Sequence, residues 1–240
     1  MKTLMFDLDG TLLPMKQDEF ASCYFRELMK LFKRAGYDSS RLVEAMWAGV
    51  RQMVINPGPY SNEEAFWKCF GQFYPELERE KLEELFMGFY ATQFNECITA
   101  TQPTETAPRI IKKAREKGYR LILATNPIFP PIATCGRIRW GGMDPGDFIH
   151  ITTYDNTVAG KPNLDYYRRL IEQFSLTPED TIMIGNDAEE DLVIRQLGFK
   201  TFLVTDCLEN KKNLPLETEW QGSLAELLSF MENLPEAKVI

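Results

Sequence analysis

The chain has 240 residues, enough for one large domain or two modest ones, and its 44% hydrophobic content can supply an ordinary core. With 35 acidic against 27 basic residues its formal charge is −8, which argues against a nucleic-acid or anionic-membrane surface, because phosphate backbones are bound through clustered Lys and Arg. The five scattered cysteines (Cys23, Cys69, Cys97, Cys135, Cys207) form no C-x-x-C pair and read as reduced thiols; the N-terminal apolar run is broken by Asp7, neither signal peptide nor membrane span, so the expected compartment is the cytoplasm.

In chain order, Leu4-Met5-Phe6 is a short apolar run that stops at an Asp-rich, Gly-containing turn, the pattern of a buried strand delivering polar residues to its C-terminal end. From Asp18 to about Asn95 the periodicity becomes helical. Phe20, Tyr24, Leu28, Leu31 and Phe32 form one stripe with Gly36 as its stop, and a second helix fits Leu42 to Ile55 before Asn56-Pro57-Gly58-Pro59. Ser61 with Glu64 predicts a capping box for a third helix carrying Phe66, Cys69, Phe70 and Phe73; a fourth carries Leu82, Leu85, Phe86 and Phe89.

After Pro103 helices and strands alternate, which argues for a parallel sheet covered by helices. The expected elements are a helix over Pro108–Lys117 closed by Gly118, strands over Tyr119–Ala124 and Phe148–Thr152, and a helix over Asn163–Phe174. A strand over Thr181–Ile184, a helix over Asp187–Leu197 closed by Gly198, a strand over Thr201–Val204 and a final helix over Leu224–Leu234 complete the set. The expected fold is α/β, a doubly wound parallel-sheet (Rossmann-like) core of residues 1–13 and 103–240 with an all-helical cap domain over 14–102.

Open parallel sheets bind ligands at the carboxyl ends of their strands, where the unusual polar residues of this chain fall. Asp7 and Asp9, two apart on an extended segment, project to one side, and Gly10 lets the chain turn immediately afterwards. Thr125 ends the second strand with a hydroxyl and, at Asn126, adjacent backbone suited to phosphoryl oxygens. Lys161 offers a positive charge near a helix start, favourable to an anion. Gly185-Asn186-Asp187 and then Asp191 present carboxylates spaced for the hard, oxygen-loving Mg²⁺. Each piece alone has a plainer reading as a turn, a helix cap or a solvated charge. Four of them in order at strand ends do not.

The ordered set Phe6-Asp7-Leu8-Asp9-Gly10-Thr11-Leu12, Thr125, Gly160-Lys161-Pro162 and Gly185-Asn186-Asp187 through Asp191 resembles the haloacid dehalogenase superfamily, specifically its phosphatase branch. The helical block lies where such proteins insert a cap after the first motif. The resemblance implies that Asp7 is the carboxylate nucleophile and Asp9 the acid and base, its backbone carbonyl also helping to hold Mg²⁺. It implies further that Thr125, Asn126 and Lys161 bind the phosphoryl oxygens, and that Asp7, Asp187 and Asp191 complete the metal site. Many relatives carry Asp directly after the last motif's glycine; Asn186 stands there, which shifts the direct ligand to Asp187.

The expected activity is Mg²⁺-dependent hydrolysis of a small phosphorylated metabolite, with no nucleic-acid or membrane partner and with monomer and homodimer both open. The alternatives are a phosphomutase using the same aspartate and a catalytically silent protein that senses a phosphorylated ligand. Dehalogenation is disfavoured because Asp9 supplies an acid that halide departure does not need. His150, the single histidine, is expected in the core or at a sheet edge rather than in catalysis. Phe20, Tyr24, Trp47, Tyr60 and Trp67 include residues that could close over substrate, and Arg137-Ile138-Arg139-Trp140 is a secondary candidate for a substrate-facing or subunit surface.

Overall fold

The computed structural model describes residues 2–237; residue 1 and residues 238–240, the outer ends of the expected core, lie outside them. Among the described residues six strands, β1 (Thr3–Phe6), β2 (Arg120–Leu123), β3 (His150–Ile151), β4 (Thr181–Gly185), β5 (Lys200–Val204) and β6 (Trp220–Gly222), form one sheet in the order β3-β2-β1-β4-β5-β6. Every pairing is parallel. The order places β1 in the middle, with β2 to one side and β4 to the other, so the chain's direction of winding reverses at β1. That reversal opens a crevice at the strands' carboxyl ends.

Alternation along β1 explains how both faces are covered. Leu4 and Phe6 join a large apolar cluster that includes Ile110 and Leu227, from the helices α5 (Thr106–Glu116) and α8 (Leu224–Asn233). Met5 points the other way, into a cluster with Tyr167 and Leu170 of α7 (Leu164–Phe174). A strand buried on both faces needs apolar residues at every position, which is why Leu4-Met5-Phe6 reads as a continuous run.

Between β1 and β2 the chain builds α1 (Gln17–Arg34), α2 (Leu42–Val54), α3 (Asn62–Phe73) and α4 (Arg79–Ala91), followed by a 3₁₀ helix over Gln93–Ala100. In α1 the stripe Phe20, Tyr24, Leu28 and Phe32 is buried, acids open the first turn and Lys33 and Arg34 close the last, in keeping with the helix dipole. The aromatic residues of this insertion do not form a sealed core of their own. Phe94 packs 5.0 Å, ring to ring, from Trp140, and Tyr24 lies 5.6 Å from Phe129, so the apolar cluster runs on from the insertion into the sheet domain.

Several local expectations are corrected. The helix expected over Asp187–Leu197 is a turn followed by a 3₁₀ helix over Leu192–Leu197, because Asp187 Oδ1 caps the backbone N–H groups of Glu189 (2.7 Å) and Glu190 (2.9 Å) and closes a tight turn. The capping box at Ser61 is half made: Ser61 accepts from the Glu64 N–H at 3.3 Å, but the Glu64 carboxylate is turned to Arg79 (2.6 and 2.9 Å). A full box opens α8 instead, between Ser223 and Glu226. The strand expected over Phe148–Thr152 is the two-residue edge strand β3, and His150 on it is half-buried with its ring 5.0 Å from that of Phe174.

Two further elements carry no clear periodic signal. The strand β6 is three residues long, and α6 (Pro131–Trp140) buries Ala133, Thr134, Arg137 and Ile138, a mixed set with no apolar stripe. Pro131 starts α6 in the position where its missing N–H is harmless. All five cysteines are free thiols, and among the described residues no helix is long and apolar enough to cross a membrane.

Candidate active site

Register brings the polar strand ends together. Phe6 lies opposite Leu123 on one side and Ile184 on the other, so Asp7, Ala124-Thr125 and Gly185-Asn186 emerge along one edge of the sheet. Lys161 arrives from the segment before α7. Its side chain has no exposed surface, and Nζ lies 2.9 Å from Asp7 Oδ1 and 2.6 Å from Asp191 Oδ1. Burial alone would lower the Lys161 pKa, but the carboxylates of Asp191 and Asp7 outweigh it and hold the amine firmly charged.

The approach of the β1 and β4 loops requires glycine. Gly10 adopts φ +86°, and a Cβ there would collide with the Asn186 amide; at Gly185 a Cβ would overlap the Asp191 carboxylate. Asn186 is held by two contacts: its Nδ2 donates to the Cys207 carbonyl at 2.7 Å and its Oδ1 accepts from Thr11 Oγ1 at 2.8 Å. The same Thr11 hydroxyl lies 3.1 Å from Asp7 Oδ2, so its one hydrogen serves one oxygen at a time. Asp187 N donates to Asp191 Oδ2 at 3.0 Å, tying the two acids of the last motif into one turn.

Thr125 is buried, and its carbonyl accepts from Thr152 Oγ1 (2.6 Å) and Tyr166 Oη (3.1 Å). Asn126 Nδ2 donates to Glu190 Oε1 at 3.0 Å and to the Lys161 carbonyl at 3.3 Å, which links the ends of β2, β4 and the lysine segment. Thus all seven expected residues, Asp7, Asp9, Thr125, Asn126, Lys161, Asp187 and Asp191, stand in or against one region of the molecule, and all but Lys161 line the same cavity.

Three further residues bear on the site: Thr11 and Glu190 lie inside the motif segments and Arg137 outside them. Arg137 of α6 has no exposed surface, is ion-paired with Asp9 Oδ2, and lies over the Phe129 ring at 4.3 Å. The secondary expectation of a substrate-facing or subunit surface at 137–140 is therefore corrected at Arg137, which faces inward because Asp9 supplies its counter-charge. Glu190 is pushed up to about 8 by burial, with Asp187, Asp191 and Asp7 adding to the shift and Lys161 opposing it. Thr11 is the third. A neighbour's charge, not a spacing, marks Arg137.

Asp9 itself has a raised pKa: burial dominates, the Asp7 charge adds to it, and Arg137 pulls the other way. Its Oδ1 is buried with no hydrogen-bond partner, and its carbonyl accepts only a long bond, 3.3 Å, from Gln17. Asp7, Asp9, Asp187, Glu190 and Asp191 thus outnumber Lys161 and Arg137. Among the described residues no three of these acids converge as a ready chelate, since Lys161 draws Asp7 and Asp191 to itself. The donor chemistry nevertheless fits a hard divalent cation: excess carboxylate oxygen, a lone buried Oδ1 and a nearly free carbonyl.

The cap aromatics sort by position. Phe20, Tyr24 and Trp47 line the cavity over the site, whereas Trp67 lines a neighbouring cavity of about 360 Å³ and Tyr60 a shallow depression elsewhere.

Comparison with known proteins agrees with this geometry. The family model described as haloacid dehalogenase-like hydrolase matches residues 1–198. Pyrophosphatase PpaX of Halalkalibacterium halodurans is 23% identical over 208 residues, 85% of this chain and 83% of its own. Among solved structures, a HAD phosphatase from Thermococcus onnurineus superposes with a TM-score of 0.61 at 17% identity, covering 99% of this chain and 100% of its own. The HAD-hydrolase YfnB from Bacillus subtilis, solved bound to magnesium, does so with 0.59 at 19% identity over 96% and 98%. The chain belongs to the haloacid dehalogenase-like hydrolase family.

Proposed function

We propose that this hydrolase cleaves a small phosphomonoester through a phosphoaspartyl intermediate on Asp7, with residues 14–102 acting as the cap over the site. The observation that carries the reading is the environment of Asp7: a carboxylate at the end of the central strand, 2.9 Å from the ammonium of a buried lysine. That ammonium is a preorganised cation where phosphoryl oxygens would gather, and charge stabilisation of this kind dominates phosphoryl transfer.

Asp7 attacks phosphorus and the alcohol leaves, splitting one displacement into two. Asp9, whose raised pKa favours the protonated acid, gives its proton to the leaving oxygen; as carboxylate it then takes a proton from the water that hydrolyses the aspartyl phosphate. Thr125 and Asn126 at the end of β2, with Lys161, would orient the remaining phosphoryl oxygens. Mg²⁺, held by Asp7, the Asp9 carbonyl and Asp187 with Asp191 beside them, would neutralise charge on the phosphoryl group. The magnesium named with the YfnB structure and the phosphatase and pyrophosphatase relatives support this choice of chemistry.

The test is phosphate release from p-nitrophenyl phosphate with and without Mg²⁺, for the natural chain and for Asp7→Asn, with folding followed by circular dichroism. Mg²⁺-dependent release that disappears in a well-folded Asp7→Asn is expected. Near-normal turnover by that variant would exclude the aspartyl intermediate.

A further inference from the structure

The catalytic carboxylates open into a cavity of about 420 Å³ whose two sides differ in kind. One side is the acidic edge of the sheet. The other, supplied by α1, α2 and the segment after β2, consists of Phe20, Tyr24, Phe25, Trp47, Val50 and Phe129. Two polar groups beside it are engaged. Tyr24 Oη lies 2.9 Å from Tyr90 Oη, both tyrosines being buried, and the Gln17 amide is turned to the Asp9 carbonyl.

Positive charge is missing from this wall. Among the described residues no arginine lines the cavity, and its lysines, Lys211 and Lys212, stand on the loop after β5 with acidic partners of their own. Lys211 lies 3.5 Å from Asp18 and 3.7 Å from Glu209, and Lys212 pairs with Glu189. A second anionic group on the substrate would therefore lose its water against aromatic rings, or compete with carboxylates for these lysines. Either is costly for an ion without its own partner. At the mouth, Trp47 leaves 45% of its surface exposed although its ring is only 5.6 Å from that of Phe25. An exposed indole continuous with an apolar cavity is a surface suited to being covered by an apolar ligand.

We infer that the alcohol half of the substrate is uncharged and predominantly apolar and carries no second anionic group. The inference rests on the phosphohydrolase reading and narrows it. Phosphate sits among the strand ends while the leaving group lies against α1 and α2, so the insertion selects by apolar contact and offers a second anion no cation on its own wall.

The experiment compares kcat/KM, in saturating Mg²⁺, for 2-phenylethyl phosphate, glycerol phosphate and phosphoglycolate. All three release alkoxides of comparable basicity, so the comparison reads the wall and not the leaving group. The expected result is a preference of at least about tenfold for 2-phenylethyl phosphate, the scale on which apolar pockets discriminate. Trp47→Arg, at a position exposed enough to accept it, should shrink the preference over phosphoglycolate. Equal or faster turnover of phosphoglycolate by the natural chain, or an unchanged ratio in Trp47→Arg, overturns the inference and leaves the hydrolase reading standing. Absence of Mg²⁺-dependent release from these three esters and from p-nitrophenyl phosphate overturns both.

Discussion

Arg137 and Asp9, far apart in the chain, meet as an ion pair in which the guanidinium has no exposed surface. The arginine comes from α6 and the aspartate from the loop after β1, so the pair ties the helix that follows β2 to the acid that would protonate the leaving group. Arg137 Nε is buried without a partner, and the flat face of the group rests over Phe129. The guanidinium has Asp9 as its counter-ion, and removing it would leave Asp9 without an ion-pair partner beside the charge of Asp7.

Arg137→Met should therefore act on the chemistry through Asp9. Arg137 lowers the Asp9 pKa against the larger effect of burial, so the substitution raises it. In the proposed mechanism phosphoenzyme formation needs Asp9 protonated, and the alkaline limb of the kcat/KM profile would report its loss of that proton. The limb should move to higher pH. Meanwhile kcat should fall by at least about tenfold, because the acid is less well oriented and the carboxylate form needed for hydrolysis is disfavoured. Arg137→Lys should recover part of both effects. A pH profile that does not move would exclude this role.

Lys161→Met leaves Asp7 and Asp191 buried without their shared cation. Breaking a buried pair by removing one partner typically costs about 3–5 kcal/mol. A melting curve should show that loss together with the loss of activity. The double variant Lys161→Met/Asp191→Asn should regain stability, since one uncompensated charge is gone, but not turnover. Equal melting temperatures for the single and double variants would mean that the pair contributes little.

The last motif divides its work between neighbours. Asp187→Asn keeps an Oδ1 acceptor for the N–H groups of Glu189 and Glu190 but loses the carboxylate charge. It should raise the Mg²⁺ concentration for half-maximal phosphate release by at least about tenfold, equivalent to about 1.4 kcal/mol. Asn186→Ala breaks the link from Thr11 to the Cys207 carbonyl and should lower the melting temperature more than Asp187→Asn does. Its effect on the Mg²⁺ midpoint should be smaller, with Asp191→Asn between the two. If the Mg²⁺ titrations rank Asn186→Ala first and Asp187→Asn last, the metal ligand is the asparagine.

Gly185→Ala probes the closeness of β4 to its own loop. The added methyl would overlap the Asp191 carboxylate, so Asp191 must move away from Lys161 Nζ. Activity should drop by at least about a hundredfold, as small displacements of positioning groups can cost that much. The far-UV spectrum should be unchanged, the strand having lost nothing but a glycine. Full activity would show that Asp191 is free to shift without consequence.

Strand ends and the buried stripes of helices are legible in the amino-acid pattern. Apolar runs at Leu4–Phe6 and Thr181–Ile184, each halted by acids and glycine, mark β1 and β4, and the spacing Phe20, Tyr24, Leu28, Phe32 marks α1. These signals are local, repeating every two or about four residues, and so survive without knowledge of the partner. Asp7, Asp9 and Asp187 follow those ends, and with Thr125 and Lys161 they were legible as an ordered set of motifs that resembles the family. What completes the site depends on segments that come together only in the folded chain. Arg137 lies on a helix with no apolar stripe, and its burial depends on a counter-charge that only the β1–β2 crossover brings within reach. Asp187 fits a helix start equally well from sequence, but capping its own turn wins because Asp191 must fold back to meet Lys161. Nor does any periodicity say that Phe20, Tyr24 and Trp47 face the catalytic cavity while Tyr60 and Trp67 do not. That choice belongs to how the insertion packs on the sheet domain, through contacts such as Tyr24 with Phe129 that join residues too distant in the chain for any local pattern to relate.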